Sequence, residues 1–304
     1  AVGGKNLHEI VPFYIKGVEA KAKKGGYLNF VTCENWKEPA AILRAGIEKL
    51  LPESYRGFFQ EYVGITEAVI MRSAIEASPE FLAQDPLIVN VQDYWELPVD
   101  ASRVRGVLPP ICGLKLLQEF SGFLERKFYT YNAANGTVSY LGALLGYTYI
   151  SDAAHDKRIL EILDGVYNET SCALCKKYGY TKEEQLSFAM GSKRKLQNCD
   201  IIDYVERNAR DPLRKLGPDD RLVGSARMVY AFGIMPENLC TAIAAAIYYQ
   251  NDADEYAVKL TKMRTERGVD YVIGQVCKIS PDGDLGKMIK QKINLLKNKG
   301  YIHE

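Results

Sequence analysis

What this chain has little of narrows its possible roles first. No apolar run is long enough to cross a bilayer: the longest, around residues 239–249, is about half of the roughly 20 residues a spanning helix needs. It reads as a buried helix. Neither sign of charge is in excess, with 39 Lys and Arg against 38 Asp and Glu and a net charge of +1, so neither nucleic acid nor an acidic membrane is expected as a partner. Only 3 histidines occur, and His8, His155 and His303 form no HExxH pattern. The 7 cysteines are odd in number and scattered through a chain too large to need staples, which points to free thiols in a reducing, cytoplasmic compartment. Cys172 and Cys175 have metal-type spacing but lack two further ligands, so no metal centre is expected. Also missing are the Gly-x-Ser-x-Gly elbow, a phosphate loop of the Walker kind, and any Gly-x-Gly-x-x-Gly fingerprint.

What is present divides in two. Ala1, Val2, Gly3 and Gly4 read as the last step of a strand, and with no initiator Met the chain is expected to be a piece of a longer one. A helical pattern follows, with Asn6 as N-cap, Glu9 three residues later as in a capping box, and Gly25 and Gly26 as its end. Residues 28–33 are of strand type, and a helix over 38–51 begins near Pro39. Residues 64–72 and 87–95 carry the β-branched and aromatic content of strands. Helix, strand, helix is the repeat of a doubly wound sheet, where ligands sit outside the carboxyl ends of strands. Asn35 falls at such an end, although capping the next helix would explain it equally well. Pro98, Pro109 and Pro110 then punctuate the chain, and a division is expected between 109 and 121. Beyond it helices are expected at about 121–149, 156–178, 181–191, 199–209, 219–233, 237–250, 252–266 and 283–299. Fold class is thus an α/β part over 1–115 followed by an all-α part over 116–304.

The densest polar cluster in the second part is Lys127, Asn132 and Asn135. On a regular helix Asn132 lies about 140° and Asn135 about 80° round from Lys127, so the three can line one wall of a cleft. An exposed lysine with two capping asparagines has the same spacing. A second run places Arg207, Arg210, Arg214, Lys215 and Arg221 among acids. It reads as a solvated face, or as a turn presenting Arg214, Lys215 or Arg221 to a phosphate.

Taken together, Ala1-Val-Gly with Asn6-Leu, Thr32-Cys-Glu-Asn35, Lys127 with Asn132, and Asp211-Pro-Leu-Arg-Lys-Leu with Asp220-Arg-Leu resemble the polyol-specific long-chain dehydrogenases. The last two blocks are most similar to the mannitol-1-phosphate 5-dehydrogenase branch. The resemblance covers nearly the whole chain. It implies the C-terminal part of a Rossmann-type NAD domain, whose glycine fingerprint would lie upstream, and then a helical substrate domain working without a metal. NAD is the implied cofactor, with NADP left open, and Val2, Gly3 and Asn6 are the implied cofactor contacts. Lys127 is implied to be the general base, with Asn35 and Asn132 as an oxyanion-stabilising pair. Asn135, Arg72, Arg214 and Lys215 become candidate substrate contacts, and the partner is a small polyol or sugar phosphate taken by a monomer. Two departures bear on substrate. Asn135 stands where the family has a His, and Met71 stands where it has an Asp before the arginine matching Arg72. An amide cannot carry a proton, and a thioether hardly accepts a hydrogen bond. The expected activity is hydride transfer between NAD and a secondary hydroxyl of a polyol, sugar acid or sugar phosphate. The alternative is a divergent relative that binds a sugar or nucleotide without turnover.

Overall fold

The helix α1 (Leu7–Lys24) buries Leu7, Val11 and Val18, one stripe at spacings of four and seven, and ends where Gly25 and Gly26 take positive φ values of 74° and 81°. The computed structural model describes residues 1–304 apart from Asn35, Lys37, Ser73, His303 and Glu304, with the backbone alone of Ile75 and Glu76. Asn6 precedes α1 but does not cap it with its side chain, which turns back to the Val2 carbonyl at 2.8 Å. The expected capping box is therefore not formed.

The chain divides into two compact units, Ala1–Leu124 and Glu125–Glu304. In the first, β1 (Leu28–Thr32) is followed by α2 (Pro39–Leu50), α3 (Glu53–Tyr62) and β2 (Val63–Glu67). β1 and β2 pair in parallel with Phe30 opposite Ile65, as a strand–helix–strand crossover requires. Val11, Val18, Leu43, Ile47, Phe59, Val63 and Ile65 form the core between helices and strands. Next come β3 (Ala74–Glu76), α4 (Pro79–Gln84) and β4 (Val89–Val91), with β3 and β4 antiparallel. Then β5 (Leu97–Asp100) pairs in parallel with β6 (Leu114–Leu117). Pro98 reads as a breaker in the sequence, yet it sits inside β5, where its carbonyl accepts from the Val69 N–H at 2.9 Å. A strand can keep a proline where no ladder partner needs the missing N–H.

The second unit is helical: α5 (Phe120–Lys127) crosses into it and leads through a π-turn, Phe128–Asn132, into α6 (Ala133–Leu144). There follow α7 (Ile150–Ala153), α8 (Lys157–Tyr178), α9 (Lys182–Gln197), α10 (Val205–Ala209) and α11 (Pro212–Lys215). The last are α12 (Val223–Ala231), α13 (Glu237–Ile247), α14 (Glu255–Arg267), α15 (Val269–Gln275) and α16 (Asp284–Asn298). Every residue from Leu239 to Ile247 is buried, and α13 packs on α6, α8 and α16, so the apolar run does form the central helix of the unit. Glu169 of α8 starts it: the carboxylate accepts from the Asn238 and Leu239 N–H groups at 2.7 and 3.1 Å and from the Asn238 amide at 2.8 Å. α9 opens with a capping box between Thr181 and Glu184. A Cβ on Gly142 would lie 2.9 Å from that of Ala153, which is why a glycine lets α7 come so close to α6.

Two expected helices differ in outcome. The stretch 121–149 is not one helix, because the π-turn interrupts it and Gly146 ends it at φ 77°. The stretch 199–209 is helical only over α10, since Tyr204 pairs instead with Tyr149 in a β-bridge.

Candidate functional site

The π-turn fixes the local geometry. The Ala133 N–H reaches back five residues to the Phe128 carbonyl as well as to that of Thr130, a wider loop than the four-residue spacing of an α-helix. A wider turn rotates fewer degrees per residue, so Asn132 comes nearer to the face of Lys127 than the regular-helix separation of about 140°. Turns of this kind recur at functional sites.

Lys127 ends α5 half-buried, and burial together with the Arg221 and Lys195 cations pulls its amine down to about 8. Among the described residues nothing accepts a hydrogen bond from it. Asn132, only 8% exposed, likewise has a carboxamide with no hydrogen-bond partner among the described residues. Buried polar groups are nearly always paired, so an amine and an amide left open five residues apart make this turn the candidate place for a ligand. Asn35, expected as their companion, lies outside the described residues.

The other expected contacts are placed differently. Asn135 donates to the Asn208 carboxamide oxygen at 3.0 Å, and Asn208 in turn donates to Asp203 at 2.6 Å, so this position is built into a chain joining α6 to the start of α10. Lys215 is buried and gives its N–H groups to the Asn208 and Arg210 carbonyls. Burial beside Arg221 and Arg214 pulls its amine down to about 7. Arg214 is held by Asp211 at 3.0 Å and Asp220 at 3.2 Å. In the first unit, Arg72 donates to the Tyr94 carbonyl and lies over the Trp95 ring at 5.2 Å, beside a buried Met71. The Val2 and Gly3 N–H groups donate to the two Glu34 carboxylate oxygens at 2.5 and 3.1 Å, while Asn6 donates to Val2. Cys172 and Cys175 stay free on α8, and among the described residues no cluster of three metal-ligating side chains occurs.

Two contributors escaped the sequence reading. Lys195 on α9 and the π-turn itself carry no local signal, because one is a lysine in a charged helix and the other is a hydrogen-bonding pattern. Arg221 had a signal, its place in a basic turn.

Comparison with known proteins bears on family and fold. The chain matches the model of the mannitol dehydrogenase C-terminal domain over residues 119–294. Its fold is similar to that of a D-sorbitol dehydrogenase in substrate-free form, at 15% identity and a TM-score of 0.74, covering 96% of this chain and 65% of that one. It is also similar to the Pseudomonas fluorescens mannitol 2-dehydrogenase in ternary complex with NAD and D-mannitol, at 15% identity and a TM-score of 0.70. That match covers 96% of this chain and 64% of the other. The chain thus spans just under two thirds of the length of either relative, and at this identity the likeness is one of fold. With more than half of its residues matched by the family model, the chain belongs to the mannitol dehydrogenase family.

Proposed function

We propose that the protein is an NAD-dependent dehydrogenase acting on a secondary hydroxyl of a polyol, sugar acid or sugar phosphate. The observation that carries this reading is the pairing of an unpartnered, partly desolvated Lys127 amine with the unpartnered Asn132 amide on one π-turn. In this reading the neutral amine accepts the proton of the substrate hydroxyl. The Asn132 N–H donates to the same oxygen as charge develops on it, and the cations Arg221 and Lys195 keep the amine from being protonated too early. Asn35 is proposed as a second donor on sequence grounds.

Within this chain the residues that would hold NAD are Val2, Gly3 and Asn6. They are proposed on the resemblance: the Val2 and Gly3 N–H groups are taken by the Glu34 carboxylate, which would have to release them to a phosphate-bearing cofactor. When bound, the nicotinamide supplies the acceptor for the hydride. The mannitol 2-dehydrogenase solved with NAD and D-mannitol supports both choices by fold.

The test is an assay of the full-length protein with NAD and NADP against polyols, sugar acids and their phosphates. Reduction of the nicotinamide that depends on Lys127 supports the reading. Binding of a sugar with no turnover under any condition favours the divergent relative instead, for which the loss of the family His at Asn135 is the motive.

Two quantitative expectations follow from the geometry. Asn132→Ala should lower kcat by on the order of 100-fold with little change in KM, the usual loss for one donor to a developing oxyanion. Steady-state kinetics on a folded variant decide it, and a loss confined to KM would remove Asn132 from that role. For pH the sign follows from which form reacts. Oxidation needs the uncharged amine, so its kcat/KM should climb as pH rises through about 8 and level off above. Reduction of the carbonyl needs the charged amine and should decline over the same range. A profile flat from pH 6.5 to 9.5 in both directions would exclude Lys127 as the titrating group.

A further inference from the structure

The chemistry proposed for Lys127 and Asn132 leaves the cysteine pair of α8 without a part. All 7 cysteines are free thiols, and their surroundings sort them. Cys240 and Cys277 are wholly buried, out of reach of a polar reagent, and burial pushes both thiols up to about 12. Cys112 and Cys199 are exposed, with no second cysteine near them in sequence. Cys172 is exposed and has a second thiol, the half-buried Cys175, one turn away on the same helix.

Helix geometry sets what that spacing can do. Positions three apart lie about 60° round from each other with Cα atoms about 5 Å apart, inside the range of about 4.4–6.8 Å that a disulfide spans. Their Cβ atoms, at about 5–6 Å, must close by about 1–2 Å, so the helix has to give. The position allows it. Cys175 lies in the last turn of α8, which Gly179 ends at φ 72° with its N–H on the Cys175 carbonyl at 2.9 Å. Both sulfurs are loosely held, Cys172 Sγ lying 3.8 Å from the Asn168 amide oxygen and Cys175 Sγ 3.7 Å from the Thr181 carbonyl. They also feel each other: burial first, and then charge on Cys172, raises the Cys175 thiol above its ordinary value. Thr181 gives the pair a consequence. It caps α9, its hydroxyl accepting from the Glu184 N–H at 3.1 Å and its carbonyl from the Gln185 N–H at 3.0 Å. Those two residues seat Arg126, which donates to the Glu184 carbonyl at 2.9 Å and the Gln185 side-chain oxygen at 2.7 Å and lies over the Tyr180 and Phe188 rings. Arg126 immediately precedes Lys127.

We propose that Cys172 and Cys175 are a dithiol modification site, closed to a disulfide within α8 by a hydroperoxide and reopened by a thiol reductant, and that closure loosens the seat of Arg126. Cys172, as thiolate, attacks one peroxide oxygen; the O–O bond breaks, the sulfur keeps a hydroxyl, and the other oxygen takes a proton and leaves as water. The Cys175 sulfur then attacks the sulfenic sulfur, the S–S bond forms, the S–O bond breaks, and a second water leaves with the Cys175 proton. Two thiols lose two electrons and the peroxide gains them. Bonding to Cys172 draws Cys175 Sγ off the Thr181 carbonyl and strains the last turn of α8. A strained disulfide is readily reduced, so the step is reversible. None of this depends on the chemistry assigned to Lys127.

The experiment treats the full-length protein with a slight excess of hydrogen peroxide, alkylates it with iodoacetamide and digests it with trypsin, which releases both cysteines in one peptide, residues 159–176. That peptide should lack two hydrogens and carry no alkyl group, and after dithiothreitol it should be alkylated at both cysteines. In Cys175→Ser the oxidation of Cys172 should run on to the sulfinic acid under excess peroxide. If that variant does not fold, the mass of the wild-type peptide carries the test. The seat of Arg126 is read by hydrogen exchange: the Glu184 and Gln185 amides should exchange about 10-fold faster in the oxidised protein, and at the reduced rate in Cys172→Ser treated in the same way. Alkylation of both cysteines after peroxide has oxidised Cys199, in its own peptide of residues 196–207, would overturn the proposal. So would a reductant-sensitive dimer joined through Cys172. A disulfide with unchanged exchange at Glu184 and Gln185 would keep the modification site and remove its link to Arg126.

Discussion

Replacing Lys127 with alanine is expected to lower kcat/KM for NAD-linked polyol oxidation on the order of 1000-fold in the full-length protein, and to erase the rise through pH 8. General base catalysis by a positioned side chain is worth about 100- to 10,000-fold, and Lys127 is the half-buried amine at the head of the π-turn that ends in the open Asn132 amide. Because the substitution also removes a cation from beside Arg221 and Lys195, the fold should tolerate it and thermal unfolding should shift little. A control separates base from binding group. Lys127→Arg keeps a cation of similar reach that cannot lose its proton near neutrality, so activity should stay as low as in the alanine variant. Activity restored by arginine would mean that position 127 contributes charge and no proton transfer, and the proposed role would fall.

The second large effect is on stability. Glu169→Ala should destabilise the protein by about 3 kcal/mol, because the Asn238 and Leu239 N–H groups at the start of α13 lose their acceptor and a buried N–H left unpaired costs about 1–3 kcal/mol. The lost side chain also leaves space beneath the helix that packs on α6, α8 and α16. For a unit of this size that is a fall in Tm of about 10 °C, measured by calorimetry or circular dichroism. Glu169→Gln keeps one acceptor oxygen and should lose less than half as much. A drop of a degree or less in the alanine variant would show that water replaces the carboxylate and that the cap adds little.

Much of this architecture was legible in the residues alone. α1, β1, α2 and the long helices after residue 120 follow from apolar periodicity with glycine and proline stops, and burial of α13 follows from an apolar run too short for a membrane. β5 was not legible, because Pro98 argues against a strand unless one knows that its N–H would go unused. α15 was hidden by the Gly268 that begins it, which reads as the end of α14. For the site, Lys127 and Asn132 could be named from type and spacing, but their angular relation could not, since it depends on a hydrogen bond that skips five residues. Asn135 has the right spacing, and its bond to Asn208, 73 positions away, is beyond what spacing shows. The basic turn shows the same limit: sequence lists five cations, and only the structure reveals that Arg214 is held by two carboxylates and Lys215 by two carbonyls.

The π-turn also says something about how this site tolerates change in chain length. A π-turn is an α-helix carrying one surplus residue, so deleting a single residue between Phe128 and Tyr131 should let the segment close into regular helix at no cost in hydrogen bonds. Such a deletion would leave Lys127 and Asn132 four positions apart, about 40° round a regular helix, so the two would keep a common face. Helix content, melting and the relation of the two groups should all change little. The surplus residue is thus one that the segment can lose without parting the amine from the amide.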